Sequence, residues 1–289
     1  MTPHTIVKDV LSDCVDRLTL SEKQVVSVLL KDYPVAGLQS ITQLADEASV
    51  STPTIVRLAR KLGFEGFTEL QEALRNELSA QIKKPVSKNQ AWIDDGAHQH
   101  IVNQFADAVS ANLRHTLERL DKGIFNEVAG LLGDHKKTIY LAGGRITRSN
   151  ADYFYNHLQI IRPHVNILNH SANVWPQYIL DMNESSVLVV FDIRRYEKDL
   201  TKLARLASER NATIVLFTDQ WGSSINKLTR YCFNALVEVP SNWDSTITLN
   251  FIVESLIAEI QRNCWESSRD RMEELESMFG KTKQFRNFS

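Results

Sequence analysis

The sequence predicts two domains of different class: an all-α N-terminal domain containing a helix-turn-helix, then an α/β domain on a five-stranded parallel sheet. Three observations carry this prediction. Residues up to about Ser79 show helical spacing throughout. The stretch 80–98, "AQIKKPVSKNQAWIDDGAH", loses that periodicity and gathers Pro85, Gly96, lysines and amides, the composition of a linker. Beyond it, short apolar runs alternate with helix-length segments, which argues a parallel sheet with helices on both faces. The expected domains are therefore 1–79, a linker at 80–98, and 99–289, and 289 residues suffice for two cores.

In the head, Leu20 to Lys31 places Val25, Val26, Leu29 and Leu30 at helical spacing, with Ser21 as the expected cap. Further helices are expected from near Ser40, from near Ser51, and through Phe67, Leu70, Leu74 and Leu78. After the linker a long helix carries Ile101, Phe105, Val109, Leu113, Leu117 and Leu120 on one stripe, and a shorter one carries Phe125, Val128 and Leu132. The strands are "TIYLAGG", "HVNIL", "SVLVVFDI", "TIVLFTD" and "CFNALVEV". A helix is expected from Asp244, where Asp244, Ser245 and Thr246 read as a cap, to about Asn263. A charged amphipathic helix with Trp265, Met272, Leu275 and Met278 closes the chain.

Composition narrows function by exclusion. A net charge of −2 gives no whole-chain argument for nucleic acid, so any DNA surface must be local. Cys14, Cys232 and Cys264 are far apart and form no CxxC pair, which supports neither a disulfide framework nor a zinc site and fits reduced thiols in a cytoplasm. The N-terminal stretch "MTPHTIVKDVLSDCVDRL" interrupts its apolar pattern with acids, and no run approaches a membrane span, so a cytoplasmic protein without membrane association is expected. No cofactor or metal is expected: His157, His164 and His170 lack ligand spacing, and Ser185–Ser186 and Ser223–Ser224 lack a nucleophile-elbow context.

The stretch "SITQLADEASVSTPTIVRLARKLGF" has the pattern of a helix-turn-helix. Leu44 and Ala45 supply the helix crossing, Ala48 the close approach, and Val50, Ile55 and Leu58 the seat of the second helix, with Ser49 in the turn where glycine is common. Helical geometry then turns Ser51, Thr52, Pro53, Thr54, Val56, Arg57 and Arg60 outward. Ser51 is a suitable N-cap and Pro53 is tolerated in the first turn, leaving N–H groups for a phosphate. Thr52 and Thr54 suit base edges or a thymine methyl, Arg57 guanine or the backbone, and Arg60 and Lys61 phosphates. The partner is then double-stranded operator DNA, read by a homodimer or homotetramer because one such module binds modestly. The alternative is a helical hairpin packed against protein.

Leu20 to Leu78, above all "VRLARKLGFEGFTEL", resembles the N-terminal domain of the RpiR family of bacterial transcription regulators. The order of parts agrees, with a head, a linker and then a domain of the sugar isomerase (SIS) type. The resemblance implies an α/β sandwich on a five-stranded parallel sheet that binds phosphorylated sugars through serines and threonines in two strand-to-helix loops. In the first loop, "IYLAGGRITRSNA", Gly143 matches the family pattern and Gly144 follows it. Arg145 stands where a second glycine is usual, and Thr147 where a serine is usual. In the second loop, Asp192 and Arg194 stand at the two serines, Arg195 at the glycine and Glu197 at the threonine, so none of the four is kept.

Glycine and serine permit a close backbone cradle for phosphate, whereas arginines reach further and offer planar bidentate donors. Gly143, Gly144, Arg145, Thr147, Arg148, Asp192, Arg194 and Arg195 are thus the candidate contacts for a small anionic metabolite effector, phosphosugar-like or carboxylate. Structural pairing of the same arginines with Asp192, Glu197 and Asp199 is the competing reading. Trp175, Trp221 and Trp243 read as packing residues, with Trp221 placed to border a pocket. A phosphosugar isomerase is the enzymatic alternative. It needs a general base, for which Glu254 in "NFIVESLIAEI" is the candidate, and it leaves the DNA head without a role.

Overall fold

The helices of the head that start at Val7, Leu20 and Ile41 begin where polar side chains meet the free N–H groups of a first turn. The computed structural model describes residues 6–82 and 100–283, which fall into two compact units, one in each range. The head holds α1 (Val7–Cys14), α2 (Leu20–Lys31), α3 (Ile41–Glu47), α4 (Thr52–Lys61) and α5 (Phe67–Ile82). Helix α2 is capped by Thr19 in a reciprocal box with Glu22, and not by Ser21. Thr19–Glu22 and Ser21–Gln24 both have the box spacing. Glu22 has the added draw of the Lys61 ammonium 2.7 Å away. Burial pushes the Glu22 carboxyl up, but the bonds from Lys61 and Thr19 outweigh it and hold the group below its ordinary range. Ser40 and Gln43 form the same box on α3.

Leu11, Leu29, Leu44, Ile55, Leu58, Leu70 and Leu74 are fully buried in one core. At about 1.5–3 kcal/mol per buried side chain, this apolar set dominates the stability of the head. Tyr33 ties the ends together: its hydroxyl donates to Glu77 and accepts the Lys8 N–H, while Glu77 accepts the Val7 N–H. The first three positions of the expected linker, 80–82, are the last turn of α5, and the stretch 83–98 lies outside the described residues.

The second unit opens with α6 (Ile101–Arg119) and α7 (Lys122–Gly133), followed by β1 (Thr138–Gly143), α8 (Arg148–Ile161), β2 (Val165–Ile167), α9 (Trp175–Asp181), β3 (Ser186–Phe191), α10 (Lys198–Glu209), β4 (Thr213–Asp219), β5 (Tyr231–Ala235), α11 (Ile247–Asn263) and α12 (Trp265–Thr282). The sheet is parallel in the order β2-β1-β3-β4-β5. All six residues of β3 are buried because both faces of the sheet are covered, which is why that strand reads as a continuous apolar run. Val187, Val189 and Phe191 face α7, α8 and α11, while Leu188 and Val190 face α9 and α10. Phe191 stacks on Phe217, with ring centroids 4.5 Å apart.

The register fixes where the loops emerge. Gly143 pairs with Phe191 and Phe191 with Phe217, so β1, β3 and β4 reach the same sheet edge in line. Strand order reverses between β1 and β3, and the crevice beyond the carboxyl ends of such strands is where open α/β sheets take ligands. The loop Gly144–Thr147 and the loop Asp192–Glu197 both begin there.

Candidate functional site

Helix α4 is set by a left-handed turn. Ser49 has φ 52°, and the Val50 N–H donates to Ala45 O at 2.9 Å, closing α3 and redirecting the chain. Leu44, Ala45, Ala48, Ile55 and Leu58 are buried as the spacing requires, with Val50 half-buried against them. Ser51, Pro53, Arg57, Arg60 and Lys61 are exposed, and Thr52 and Val56 are half-buried.

Two of the expected DNA contacts are otherwise engaged. Thr54 is only 6 % exposed: its hydroxyl lies 3.0 Å from Ser51 Oγ and accepts from Arg57 Nη2 at 3.4 Å. It sits next to Ile55 on the inner side of the first turn, so it braces the cap and Arg57 instead of facing outward. Lys61 is exposed but committed, because its ammonium is the partner of Glu22. Arg60 donates through Nε to Glu65 O at 3.2 Å, steadying the connection to α5. Arg57 makes no ion pair among the described residues, and the N-terminal turn of α4 remains open around Ser51, Thr52 and Pro53.

At the sheet edge the structure separates the four arginines. Arg194 is buried, with 4 % of its side chain exposed; it pairs with Glu238 at 2.9 Å and Asp244 at 3.1 Å and lies 4.0 Å over the Trp221 ring. Asp244 therefore holds a guanidinium, and the Ile247 N–H at the start of α11 finds Ser245 Oγ at 3.3 Å. Arg148 is also committed, through Nε to Asp152 at 2.8 Å and through Nη1 to Leu168 O. Arg145 and Arg195 are the exposed pair without an ion partner among the described residues. Arg145 lies 5.7 Å from the ring centre of Trp243, which is 50 % exposed and so is no packing residue.

The remaining expected contacts build the loops. The Thr147 hydroxyl accepts the Gly144 N–H at 2.9 Å and donates to Phe191 O at 2.7 Å. Its proton is spent on closing its own turn, so it has no donor left for an anionic ligand. Asp192 is buried, accepts from Ser223 Oγ and, at 3.2 Å, from the Glu197 N–H, and burial pushes its carboxyl up to about 6. Gly143 has no room for a side chain, since a Cβ there would lie 2.5 Å from Thr147 O. Gly144 lies against Glu197, whose Oε1 accepts the Arg145 N–H at 2.6 Å.

Sequence reasoning missed the organising group of this edge. Asp219, fully buried, accepts from the N–H groups of Arg194 (2.5 Å), Trp221 (3.1 Å) and Gly222 (3.2 Å) and from the Tyr196 hydroxyl (2.7 Å). Burial raises its carboxyl although these donors pull the other way. The signal was present in "TIVLFTD", an acid at the carboxyl end of an apolar strand. Among the described residues no His, Cys, Asp and Glu cluster could hold a metal ion, and no helix is long and apolar enough to cross a membrane. Glu254 lies about two turns into α11, roughly 10 Å along the helix from its start, and accepts from Tyr153 at 3.1 Å.

A helix-turn-helix joined to a parallel α/β domain with its crevice at the β1/β3 reversal defines a DNA-binding transcription regulator with a sugar-isomerase-type domain. Residues 7–81 match the helix-turn-helix domain of the rpiR family and residues 134–258 match the SIS domain, and the chain belongs to the RpiR family. The transcriptional regulator HexR of Escherichia coli K12 is 28% identical over 205 residues, 70% of this chain and 68% of HexR. RpiR of the same strain is 26% identical over 223 residues, 74% of this chain and 71% of RpiR. Among solved structures, the sugar isomerase domain of an RpiR transcription factor from Sphaerobacter thermophilus superposes with a TM-score of 0.57 at 17% identity, covering 62% of this chain and 99% of that one. Vibrio vulnificus NanR complexed with ManNAc-6P superposes with a TM-score of 0.55 at 18% identity, covering 94% and 97%. These two structural likenesses speak for the fold.

Proposed function

We propose that this regulator reads a two-fold symmetric operator as a homodimer or homotetramer and responds to a small anionic metabolite, phosphosugar-like or carboxylate, held at the β1/β3 edge of its SIS domain. One observation carries the reading: the exposed Arg57 on a helix whose opposite side is sealed in the core occurs in the same chain as two arginines without ion partners among the described residues, Arg145 and Arg195, at the ligand crevice of a parallel sheet. Arg57 is the base-reading or phosphate-holding residue, and the open first turn of α4 takes a backbone phosphate. Arg194 supports the effector reading indirectly, because its Nη1 is buried without a hydrogen-bond partner among the described residues and an acceptor arriving at this edge would satisfy it.

The exposed apolar residues Ile146, Tyr153 and Ile160 on and before α8, with Ile247 and Phe251 on α11, favour a second copy as partner. A phosphosugar complex of NanR, a protein of the same fold, supports the effector class. No enzymatic role is proposed, because Glu254 lies about two turns along α11 from that helix's start and is engaged by Tyr153. The effector acts by binding two arrangements of the paired heads unequally.

The test is selection of genomic DNA fragments on the purified protein at near-physiological salt, with Arg57→Ala beside it. Enrichment of a short symmetric site, lost in the variant, is the expected outcome. No enrichment with or without metabolite extract would return the chain to an assay of phosphosugar chemistry. Thermal stabilisation of the native protein by small anions separates an effector-binding domain from one that only dimerises.

A further inference from the structure

We propose that Glu197 is a specificity-determining residue that fills the backbone anion cradle of the β1–α8 loop with the protein's own carboxylate, so that phosphate is refused there and the effector's charged group is taken by the arginine side chains further out. This rests on the effector reading of the same edge. Gly144 and the backbone amide of Arg145 lead into the positive end of α8, a helix of 14 residues. Of the two N–H groups, that of Gly144 is spent on Thr147 Oγ1 at 2.9 Å, and that of Arg145 donates to Glu197 Oε1 at 2.6 Å. A Cβ at Gly144 would lie 2.6 Å from Glu197 Oε1 and 2.9 Å from Glu197 Cδ, so the carboxylate lies in the space that the missing side chain leaves. An incoming phosphate would have to occupy the same few ångströms as an existing negative charge, and like charges disfavour each other strongly at that range.

The second loop is shaped to deliver this carboxylate. Arg195 adopts φ 73°, a left-handed conformation uncommon for a residue with a side chain, and two residues later the chain has turned back onto the first loop. Asp192 fixes the return by accepting the Glu197 N–H, and Asp219 fixes it by accepting the Arg194 N–H and the Tyr196 hydroxyl. The guanidinium of Arg145 turns to Trp243 and makes no ion pair with Glu197, whose carboxylate accepts the backbone N–H of Arg145. An anion recognised at this edge therefore meets Arg145 and Arg195 by their side chains, outside the cradle.

Titration calorimetry of the full chain with inorganic phosphate and with glucose 6-phosphate, on wild type, Glu197→Gln and Glu197→Ala, tests the assignment. Glu197→Ala is expected to bind phosphate at least about ten-fold more tightly than wild type, with Glu197→Gln in between, since it keeps an acceptor without the charge. Equal affinity in all three, including no binding in any, or tightest binding in wild type, would overturn it. If Glu197→Ala melts early, the isosteric Glu197→Gln decides alone. The DNA selection reads only the head, so failure of the regulator reading and failure of this proposal are seen in different experiments.

Discussion

Helix α4 and the loop after β3 are both charged segments delivered by an apolar scaffold, yet they use their charge in opposite ways. On α4 a single periodicity decides which way each residue faces, and Arg57 and Arg60 are exposed while Ile55 and Leu58 are sealed. In the loop no period applies. Adjacent residues Arg194 and Arg195 part company, one buried between Glu238, Asp244 and Trp221 and the other exposed at a left-handed residue. Arginine in a helix face is thus a surface statement, whereas arginine in a strand-to-helix loop becomes either a strut or a ligand contact, depending on the acids that distant segments bring to it.

The sharpest way to break this comparison is at its two arginines. Arg57→Ala should remove specific operator binding: each head loses about 1–3 kcal/mol, so a two-headed dimer loses roughly twice that, while thermal stability stays unchanged. Unaltered sequence preference in a binding titration would take Arg57 out of the interface. Arg194→Ala should do the reverse, costing on the order of 3 kcal/mol of stability by chemical denaturation, because it takes the guanidinium away from the largely buried Asp244 side chain and opens the space over Trp221. Glu238 is partly exposed, which keeps the figure at the low end. Arg195→Ala, one residue along, should leave stability within about 0.5 kcal/mol.

Much of this molecule was legible in its residues, and the illegible part has a common cause. The helices, the five strands and their parallel pairing follow from local pattern, since both periodicity and alternation are written over a handful of consecutive positions. The loop chemistry depends on partners more than twenty residues away: Asp219 for the Arg194 and Tyr196 loop, Phe191 O for the Thr147 hydroxyl, Glu238 and Asp244 for the Arg194 guanidinium. Reading Thr147 as an available hydroxyl failed because the serine-type residue of such a turn serves equally well to close it. Thr54 failed for a smaller reason: it lies four residues before Leu58 and next to Ile55, so the same helical spacing that seals those two turns it inward as well.

A pH titration sharpens the contrast within the second unit. Burial pushes the Asp192 carboxyl up to about 6 from 3.8. The native state therefore holds a proton that the unfolded chain releases between those values, and stability is highest below about pH 4 and falls as pH rises through about 6. Asp192→Asn keeps the shape without the charge, so the variant should gain on wild type by up to about 3 kcal/mol between pH 4 and pH 7. A constant difference across that range would mean that the bonds from Ser223 and Glu197 offset the burial entirely.

A smaller effect than that of Asp192 returns to the head and asks whether Lys61 belongs to the helix face or to the core. Its side chain is 45% exposed, but that of Glu22, whose carboxylate it holds, is 5% exposed and also completes the cap of α2. Lys61→Met keeps the stem and removes the charge, which leaves Glu22 bonded by Thr19 alone. Exposed ion pairs contribute about 0.2–1 kcal/mol, and the buried partner places this one near 1. If Lys61 is a strut, the variant should lose that much stability while the salt dependence of DNA binding keeps its slope. If it is a phosphate contact, the slope of log K against log salt should fall by about one per head with stability unchanged. The ion pair with Glu22 favours the first outcome, because a lysine that already has a carboxylate must give it up before it can neutralise a phosphate.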